Sequence, residues 1–554
     1  MIRRLLFACA IALIFTLTLN LDSIREWSTG RLTVAVLNDQ SADELYYFST
    51  IAKVGQGQPP LGHTSYMEHN RDGFIVNLSP VIQGLTMRFS GLSFRSTLLL
   101  GDLLFPFLAV LILTLGFIAA FRSWPVAGAA AVMAASEIGN YWFRANNPQM
   151  PFVAVAAWIA VAMAYPRDSR TGLLLRAIIV GVLTWLHVVY ASLFVIIDGT
   201  FLLANLMEWR TGKKFFADGL LYGACLIALV FPRIFLRAPA EVATDTLYRL
   251  GLIYTHLPAL PKLQVILLCA IAALWLWKRW NRKWPDDRVR TCWVMLIGCV
   301  IALNQSVITG IDSVFAAYYP HPINLLLTVT LIAVAARVLQ HPTWGRAAIV
   351  AAAVISLIVL RMSVAEFSAK ARAAADTFEE SDMHHVLQWL KEQPGVAVVA
   401  APYGINGRVP YETLHYDLFN AYGWNLPLTD TELAERYALQ VRLIPSSKNP
   451  DRTNTHVFGG FAGLTASKRR AYCRMKRALL RTSDPCIIDA STLTIHQELY
   501  PMVDNAQINV AQAMKKFHVS YVVTEAPHQL PSVLATTCAK ATTIGIYVVW
   551  TCKE

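Results

Sequence analysis

The chain has 554 residues, 55% of them hydrophobic and only 15% charged, with 48 Lys and Arg against 36 Asp and Glu for a formal charge of +12. That balance excludes an ordinary soluble protein of this length and is the composition of a polytopic membrane protein. The basic excess does not point to nucleic acid, because Lys and Arg fall in short clusters between apolar runs, where the positive-inside rule places them.

Met1-Ile2-Arg3-Arg4 precedes an apolar run over 5–21 with no small-residue cleavage site after it, so the run reads as an uncleaved first span with its N-terminus in the cytoplasm. From 22 to 96 the chain is too polar and too rich in Gly and Pro for hydrocarbon, and a long loop outside the membrane is predicted. The loop contains Ser41-Ala42-Asp43-Glu44-Leu45-Tyr46-Tyr47-Phe48. Ser41 and Glu44 have the spacing of a capping box, and Leu45, Phe48, Ile51 and Ala52 recur at helical spacing, so a helix is predicted from Ser41. Capping gives Glu44 a structural task. Asp43 has none, since a second acid in the first turn gains only roughly a few tenths of a kcal/mol from the helix dipole.

Further along the loop, His63, Glu68, His69 and Asp72 form a second polar group. With Asp43 and Glu44 they offer the oxygen ligands that a hard cation such as Mg or Mn prefers, although their spacing matches no regular metal loop and no cofactor is required by it. Ser79-Pro80 reads as a capped start for a helix carrying Val81, Ile82, Leu85 and Phe89, which suits the membrane interface.

Further spans are predicted at 97–121, 126–138, 152–165, 173–186, 191–207, 218–236, 263–277, 291–307, 324–338 and 347–360, about eleven in all. The run over 173–207 is too long for one span and is split at His187-Val188-Val189-Tyr190. With Arg3 and Arg4 inside, the alternation leaves Arg122, Arg167, Arg210, the Lys278–Arg290 cluster and Arg346 on the cytoplasmic side. The membrane body thus occupies 1–362. Residues 363–554 are polar enough for an extracytoplasmic α/β domain on the same side as Asp43. Capping boxes at Thr377-x-x-Glu380 and Thr429-x-x-Glu432 and buried strands at 396–400, 519–524 and 544–550 are expected there. Of its four cysteines, Cys473 is expected to pair with Cys486 and Cys538 with Cys552, although four cysteines allow three pairings and zinc is an alternative.

Three more connections fall on the side of the Asp43 loop. Arg144 lies between two apolar runs, where an arginine either snorkels or binds an anion. Arg249 and His256 occupy the next connection, and Asn304, Gln305, Tyr318, Tyr319 and His321 bracket the third. Taken singly, each reads as an interface anchor; their convergence on the acidic loop favours a site. Asp102, Glu137 and Asp198 are costly in lipid and are expected to face the bundle interior.

An acidic pair in a long first outer loop, followed by aromatics, interfacial helices, many spans and an outer tail, resembles the GT-C superfamily of membrane glycosyltransferases. The likeness covers the layout of residues 1 to about 360 and is similar to bacterial aminoarabinose and protein mannosyl transferases that use polyprenyl-phosphate sugars. It implies an enzyme of the inner membrane that transfers a hexose or pentose from a polyprenyl-phosphate donor to an envelope glycan, lipid or protein on the periplasmic side. Asp43 would then stand at the acceptor hydroxyl, with Glu44 as orienter or substitute. Arg144, Arg249 and His256 would hold the donor phosphate. Tyr46, His63, Glu68, His69, Asn304, Gln305, Tyr319 and His321 would contact substrate. The chemistry stands apart from the likeness: displacing a phosphate from an anomeric carbon needs a carboxylate to take a proton and cationic charge to steady the leaving group. Alternatives are a transporter or lipid flippase using Asp102, Glu137 and Asp198, and a non-catalytic subunit of an envelope assembly system.

Overall fold

A computed structural model describes residues 1–29, 42–59, 65–69, 77–121, 123–143, 149–166, 169–209, 212–234, 252–256, 258, 262–281, 286–313, 318–338, 344–420, 428–444, 462–481, 483, 485–486, 508–527, 530, 532–534 and 537–553. Helices dominate. In chain order they are α1 (Ile2–Leu19), α2 (Leu21–Ser28), α3 (Ala42–Gly55), α4 (Leu78–Ser90), α5 (Phe94–Phe121), α6 (Trp124–Ser136), α7 (Gln149–Ala164), α8 (Arg170–Leu186), α9 (Val188–Trp209), α10 (Gly212–Ile234), α11 (Lys262–Asn281), α12 (Asp287–Leu303), α13 (Gln305–Thr309), α14 (Pro320–Val338) and α15 (Trp344–Glu379). Two short strands, β1 (Leu252–Tyr254) and β2 (Ile311–Ser313), pair antiparallel between α10 and α14.

Among the described residues seven helices, α1, α5, α9, α10, α11, α14 and α15, are long and apolar enough to cross a membrane, where the sequence reading has about eleven spans. Helices α6, α7, α8 and α12, of 13 to 17 residues, pack among them. The outward faces keep large apolar side chains such as Leu104, Ile227, Leu276, Leu331 and Ile358, which water would penalise and lipid would not. Inside the bundle small residues bring backbones close: a Cβ on Gly116 of α5 would lie 2.6 Å from the Cα of Ala160 in α7. Asp198, fully buried, accepts from Arg176 (2.7 Å), Trp158 (3.1 Å) and Tyr222 (3.0 Å), so it faces the interior as expected, and so does buried Asp102. Glu137 is exposed at the end of α6.

The tail is built on a five-stranded mixed sheet of order β4-β3-β5-β7-β6, from β3 (Val398–Ala400), β4 (Tyr416–Asp417), β5 (Val519–Glu525), β6 (Cys538–Ile544) and β7 (Tyr547–Cys552). Its helices are α16 (Asp382–Glu392), α17 (Tyr403–Asn406), α18 (Val409–Glu412), α19 (Asp430–Leu443), α20 (Ala462–Leu480) and α21 (Val510–Lys516). Both expected disulfides are present, Cys473–Cys486 and Cys538–Cys552, the second closing the paired strands β6 and β7.

The break at His187 falls between α8 and α9, and Thr429 caps α19 by accepting from the Glu432 amide. Three local expectations are corrected. The cap of α4 is Asn77, whose Oδ1 accepts from the Ser79 amide at 2.9 Å; Pro80 is tolerated in the first turn, where amides have no helical partner. Thr377 caps nothing. It lies inside α15 and donates to the Ala373 carbonyl, because the alanine-rich stretch before it carries the helix on to Glu379, well past the expected boundary at 362; Ser381 caps the next helix instead. The strand expected over 544–550 is the turn and second arm of a hairpin, since Gly545 adopts φ 54° between Ile544 and Tyr547.

Gly116→Val should push α5 and α7 apart and destabilise the bundle by about 1–3 kcal/mol. A lowered unfolding midpoint in detergent, with Gly116→Ala less affected, is the expected result.

Candidate functional site

The tail sits at one end of the bundle, and α15 runs directly into it. Arg361 and Arg372 on α15 hold α2 through Asp22 (2.8 Å) and Glu26 (2.6 Å), and Asp312 of β2 accepts from Lys468 (3.0 Å) and Tyr472 (2.9 Å) of α20. Connections that are distant in sequence therefore meet at this end.

Helix α3 carries the acidic pair. Phe48, Ile51 and Ala52 are buried against Leu98 of α5 and Tyr411 of α18, with the Phe48 ring centroid 5.5 Å from both Phe94 and Tyr411. Lys53, one turn on, points into the tail: its Nζ donates to the His415 carbonyl (2.7 Å) and the Thr413 carbonyl (3.3 Å) and lies 4.4 Å from the centre of the Tyr416 ring. Burial pushes Lys53 down to about 7 against the opposing charge of Asp417, and burial likewise pushes Asp417 well above the usual carboxylate range. Asp43 and Glu44 occupy the first turn of this fixed helix, Asp43 being about 7.5 Å of helical rise before Phe48. Ser41 and the side chains of Asp43, Glu44 and Tyr46 lie outside the described residues.

The next part of the same loop is threaded into the tail. The Ser65 carbonyl accepts from the Asp417 amide beside β4, and Tyr66 is buried in the tail core, its hydroxyl accepting from the Asn420 amide. Arg436 of α19, 0% exposed, then binds the loop. Its guanidinium donates to Glu68 (2.8 Å), Glu432 (2.8 Å) and the Leu418 carbonyl (3.2 Å), and its carbon lies 4.3 Å from the ring centres of both Tyr66 and Phe517. His69 donates to Glu432 at 2.9 Å. Burial would raise Glu432, but the His69 hydrogen bond and the Arg436 charge outweigh it and hold the carboxyl at about 2. Glu68 and His69, read from sequence as substrate contacts or metal ligands, tie the loop to the tail, and Glu68 keeps a buried Oε1 with no hydrogen-bond partner among the described residues. His63 and Asp72 lie outside the described residues.

A third component is the 3-10 turn Gly139–Phe143, which sends three successive aromatics to three places. Tyr141 meets His321 at the start of α14 (4.2 Å between ring centres). Trp142 is buried between Phe15 and Phe152, and Phe143 stacks on Phe367 of α15. The Trp142 carbonyl accepts from Gln149 Nε2, which also donates to Asp102 Oδ1 at 2.7 Å, while Asn20 donates to the Asp102 backbone carbonyl at 2.8 Å. Asp102 Oδ2, Gln149 Oε1 and Asn20 Oδ1 are buried acceptors with no hydrogen-bond partner among the described residues. Beside this floor, His187 stacks on Tyr190 (3.9 Å) and meets Tyr318 edge-on, and Tyr319 shares a hydrogen bond with Ser192 (2.8 Å). Tyr141 and His321 thus meet at the start of α14, while Tyr318 and Tyr319 reach His187 and Ser192 at the start of α9.

Elsewhere, His256 donates to the Val307 carbonyl at 3.1 Å and packs on Gly310, whose φ of 70° suits glycine. Asn304 links α12 to α13, donating to the Val300 carbonyl (2.7 Å), and Gln305 opens α13. Arg144 and Arg249 lie outside the described residues. Among the described residues no three His, Cys, Asp or Glu side chains are grouped to hold a metal ion. A cavity of about 510 Å³ opens at the junction of α5, α15 and α16, lined by Arg95, Glu379, His384, His385, Lys391 and Glu412 among others. Residues missed by sequence reading are Asn20, Gln149 and Tyr141, whose signal was a polar or aromatic side chain at the end of an apolar run.

No protein-family model matches the chain, and no curated protein matches its sequence.

Arg436→Met should strand Glu68 and Glu432 and cost about 3–5 kcal/mol, with Glu68→Gln and Glu432→Gln added in the same chain recovering much of it. Acid unfolding gives a second check. A carboxyl depressed in the fold contributes stability that is present above its unfolded value near 4.5 and lost as pH falls toward 2, so Glu432→Gln should flatten the acid limb over that range.

Proposed function

We propose that the protein is a membrane glycosyltransferase of the GT-C type, moving a sugar from a polyprenyl-phosphate donor to an envelope glycan, lipid or protein. The reaction takes place at the tail-bearing end of the bundle, on the periplasmic side of a bacterial inner membrane. The observation that carries the reading is the fixing of α3 between bundle and tail: Phe48 is clamped by Phe94 and Tyr411, and Lys53 by Thr413 and His415, so the backbone bearing Asp43 and Glu44 is held where a lipid-borne donor and an outside acceptor would meet.

In this mechanism Asp43 takes the proton of the acceptor hydroxyl as its oxygen attacks the anomeric carbon. The bond from that carbon to the phosphate oxygen breaks, the electron pair leaves with polyprenyl phosphate, and the configuration inverts. Glu44 orients the acceptor or substitutes for Asp43. Arg144 and Arg249, with His256, steady the leaving phosphate through charge-assisted contacts, which are stronger where water is scarce. Tyr319, His321, Asn304 and Gln305 belong to the surrounding wall. The reading places eleven helices across the membrane, α1, α5 to α12, α14 and α15, with N-terminus inside and tail outside.

A transporter or flippase is the second reading, and Asp102 favours it, as a buried carboxylate with one oxygen lacking a protein partner among the described residues. Asp198 does not, since Arg176, Trp158 and Tyr222 already answer it.

Asp43→Asn should abolish sugar transfer in membranes at normal protein abundance, because it keeps the size of the side chain and removes its basicity. Glu44→Gln should lower transfer less, and Arg144→Ala and Arg249→Ala should weaken donor affinity. Near-normal turnover of Asp43→Asn would remove Asp43 as the base. A periplasm-dependent phosphatase fused after Glu554 should be active; an inactive fusion alongside a working cytoplasmic reporter at the same place would overturn the orientation.

A further inference from the structure

At the end of the bundle opposite the tail, a cavity of about 420 Å³ opens among α5, α6, α12, α14 and α15. Three arginines line it: Arg288 from α12, Arg337 from the last turn of α14 and Arg346 from the first turn of α15. Among the described residues one carboxylate opposes them, Asp286, whose Oδ1 is occupied in capping α12 and whose Oδ2 lies 3.6 Å from Arg288. The apolar wall comes from Phe121, Val126 and Ile349.

Two features set this cavity apart from an ordinary basic loop at a membrane surface. Helices α6, α12 and α15 all begin at it, so three positive dipole ends meet the two carbonyl ends of α5 and α14, the latter answered by Arg337. Arg288 Nε and Ser123 Oγ also line it as buried donors with no hydrogen-bond partner among the described residues; Ser123 precedes α6 without capping it through its side chain. Donors held out of water without an acceptor are costly, and a group with several anionic oxygens would satisfy them together. We propose that this cavity binds a phosphate monoester. The apolar wall lets a lipid present that group from the bilayer, and the same donors would take it from water. The site is independent of the transfer reaction, since it involves none of the residues at the tail-bearing end.

The test uses the full-length purified protein in neutral detergent, titrated with phosphatidic acid, with diacylglycerol of the same chains, and with inorganic phosphate, while the thermal unfolding midpoint is recorded. Phosphatidic acid should raise the midpoint and diacylglycerol should not. In R288Q/R346Q the apparent affinity should fall about tenfold or more, as expected for lost hydrogen bonds between charged groups, while R288K/R346K should keep most of it. A shift from inorganic phosphate alone would assign the site to a soluble phosphate; a shift from phosphatidic acid alone would assign it to a lipid headgroup. Should the glutamine variant fail to fold, a photoreactive phosphatidic acid on the wild-type protein decides. Crosslinks in 121–126 or 345–349 support the site. Equal shifts in wild type and folded variant, no shift with either phosphate, or crosslinks confined to other segments would overturn it.

Discussion

Arg436 is the residue on which the tail-bearing end of the molecule depends. A buried guanidinium is tolerable only when its donors are answered, and here Glu68, Glu432 and the Leu418 carbonyl answer them while Tyr66 and Phe517 cover its faces. Two of those five groups belong to the first loop. The loop therefore cannot leave the tail without exposing a set of mutually compensating charges, and this fixes the chain between α3 and α4 at both sides. Such a network is weak evidence for net stability, because desolvation offsets much of its attraction, but it strongly specifies one arrangement over others.

That constraint sets the position of α3. Phe48 packs on both the bundle and the tail and Lys53 reaches into the tail, so the helix forms a bridge. The Tyr141-Trp142-Phe143 turn does the corresponding work on the bundle side, with one aromatic for α14, one for the α1 and α7 interface and one for α15. The two ends of the bundle differ in kind. At the tail-bearing end Arg361, Arg372, Arg436 and Lys468 each meet a carboxylate, whereas among the described residues the cavity at the far end is lined by three arginines against one aspartate.

Local signals were legible in the sequence and long-range ones were not. Apolar runs located the helices, the His187 break divided α8 from α9, and cysteines 13 and 14 residues apart paired with their neighbours. Errors of detail arose where two local signals competed, as when Asn77 rather than Ser79 capped α4, or when alanines carried α15 through Thr377. The clearest long-range case is Glu68 and His69. Their partners, Arg436 and Glu432, lie 368 and 363 residues away, so no local pattern could show that these two loop residues hold the tail. Asp102 and Asp198 show the same limit from the other side. Both were legible as interior carboxylates, yet only the structure distinguishes the one saturated by Arg176, Trp158 and Tyr222 from the one with an oxygen left over among the described residues.

The most direct measurement is the fate of a polyprenyl-phosphate sugar given to the purified protein alone, with an extract of envelope acceptors, in detergent and in sealed vesicles. The account predicts release of polyprenyl phosphate in step with loss of donor and appearance of the sugar on an acceptor with inverted configuration. An intact donor in both settings, with the labelled lipid crossing the vesicle bilayer only when the protein is present, would contradict it.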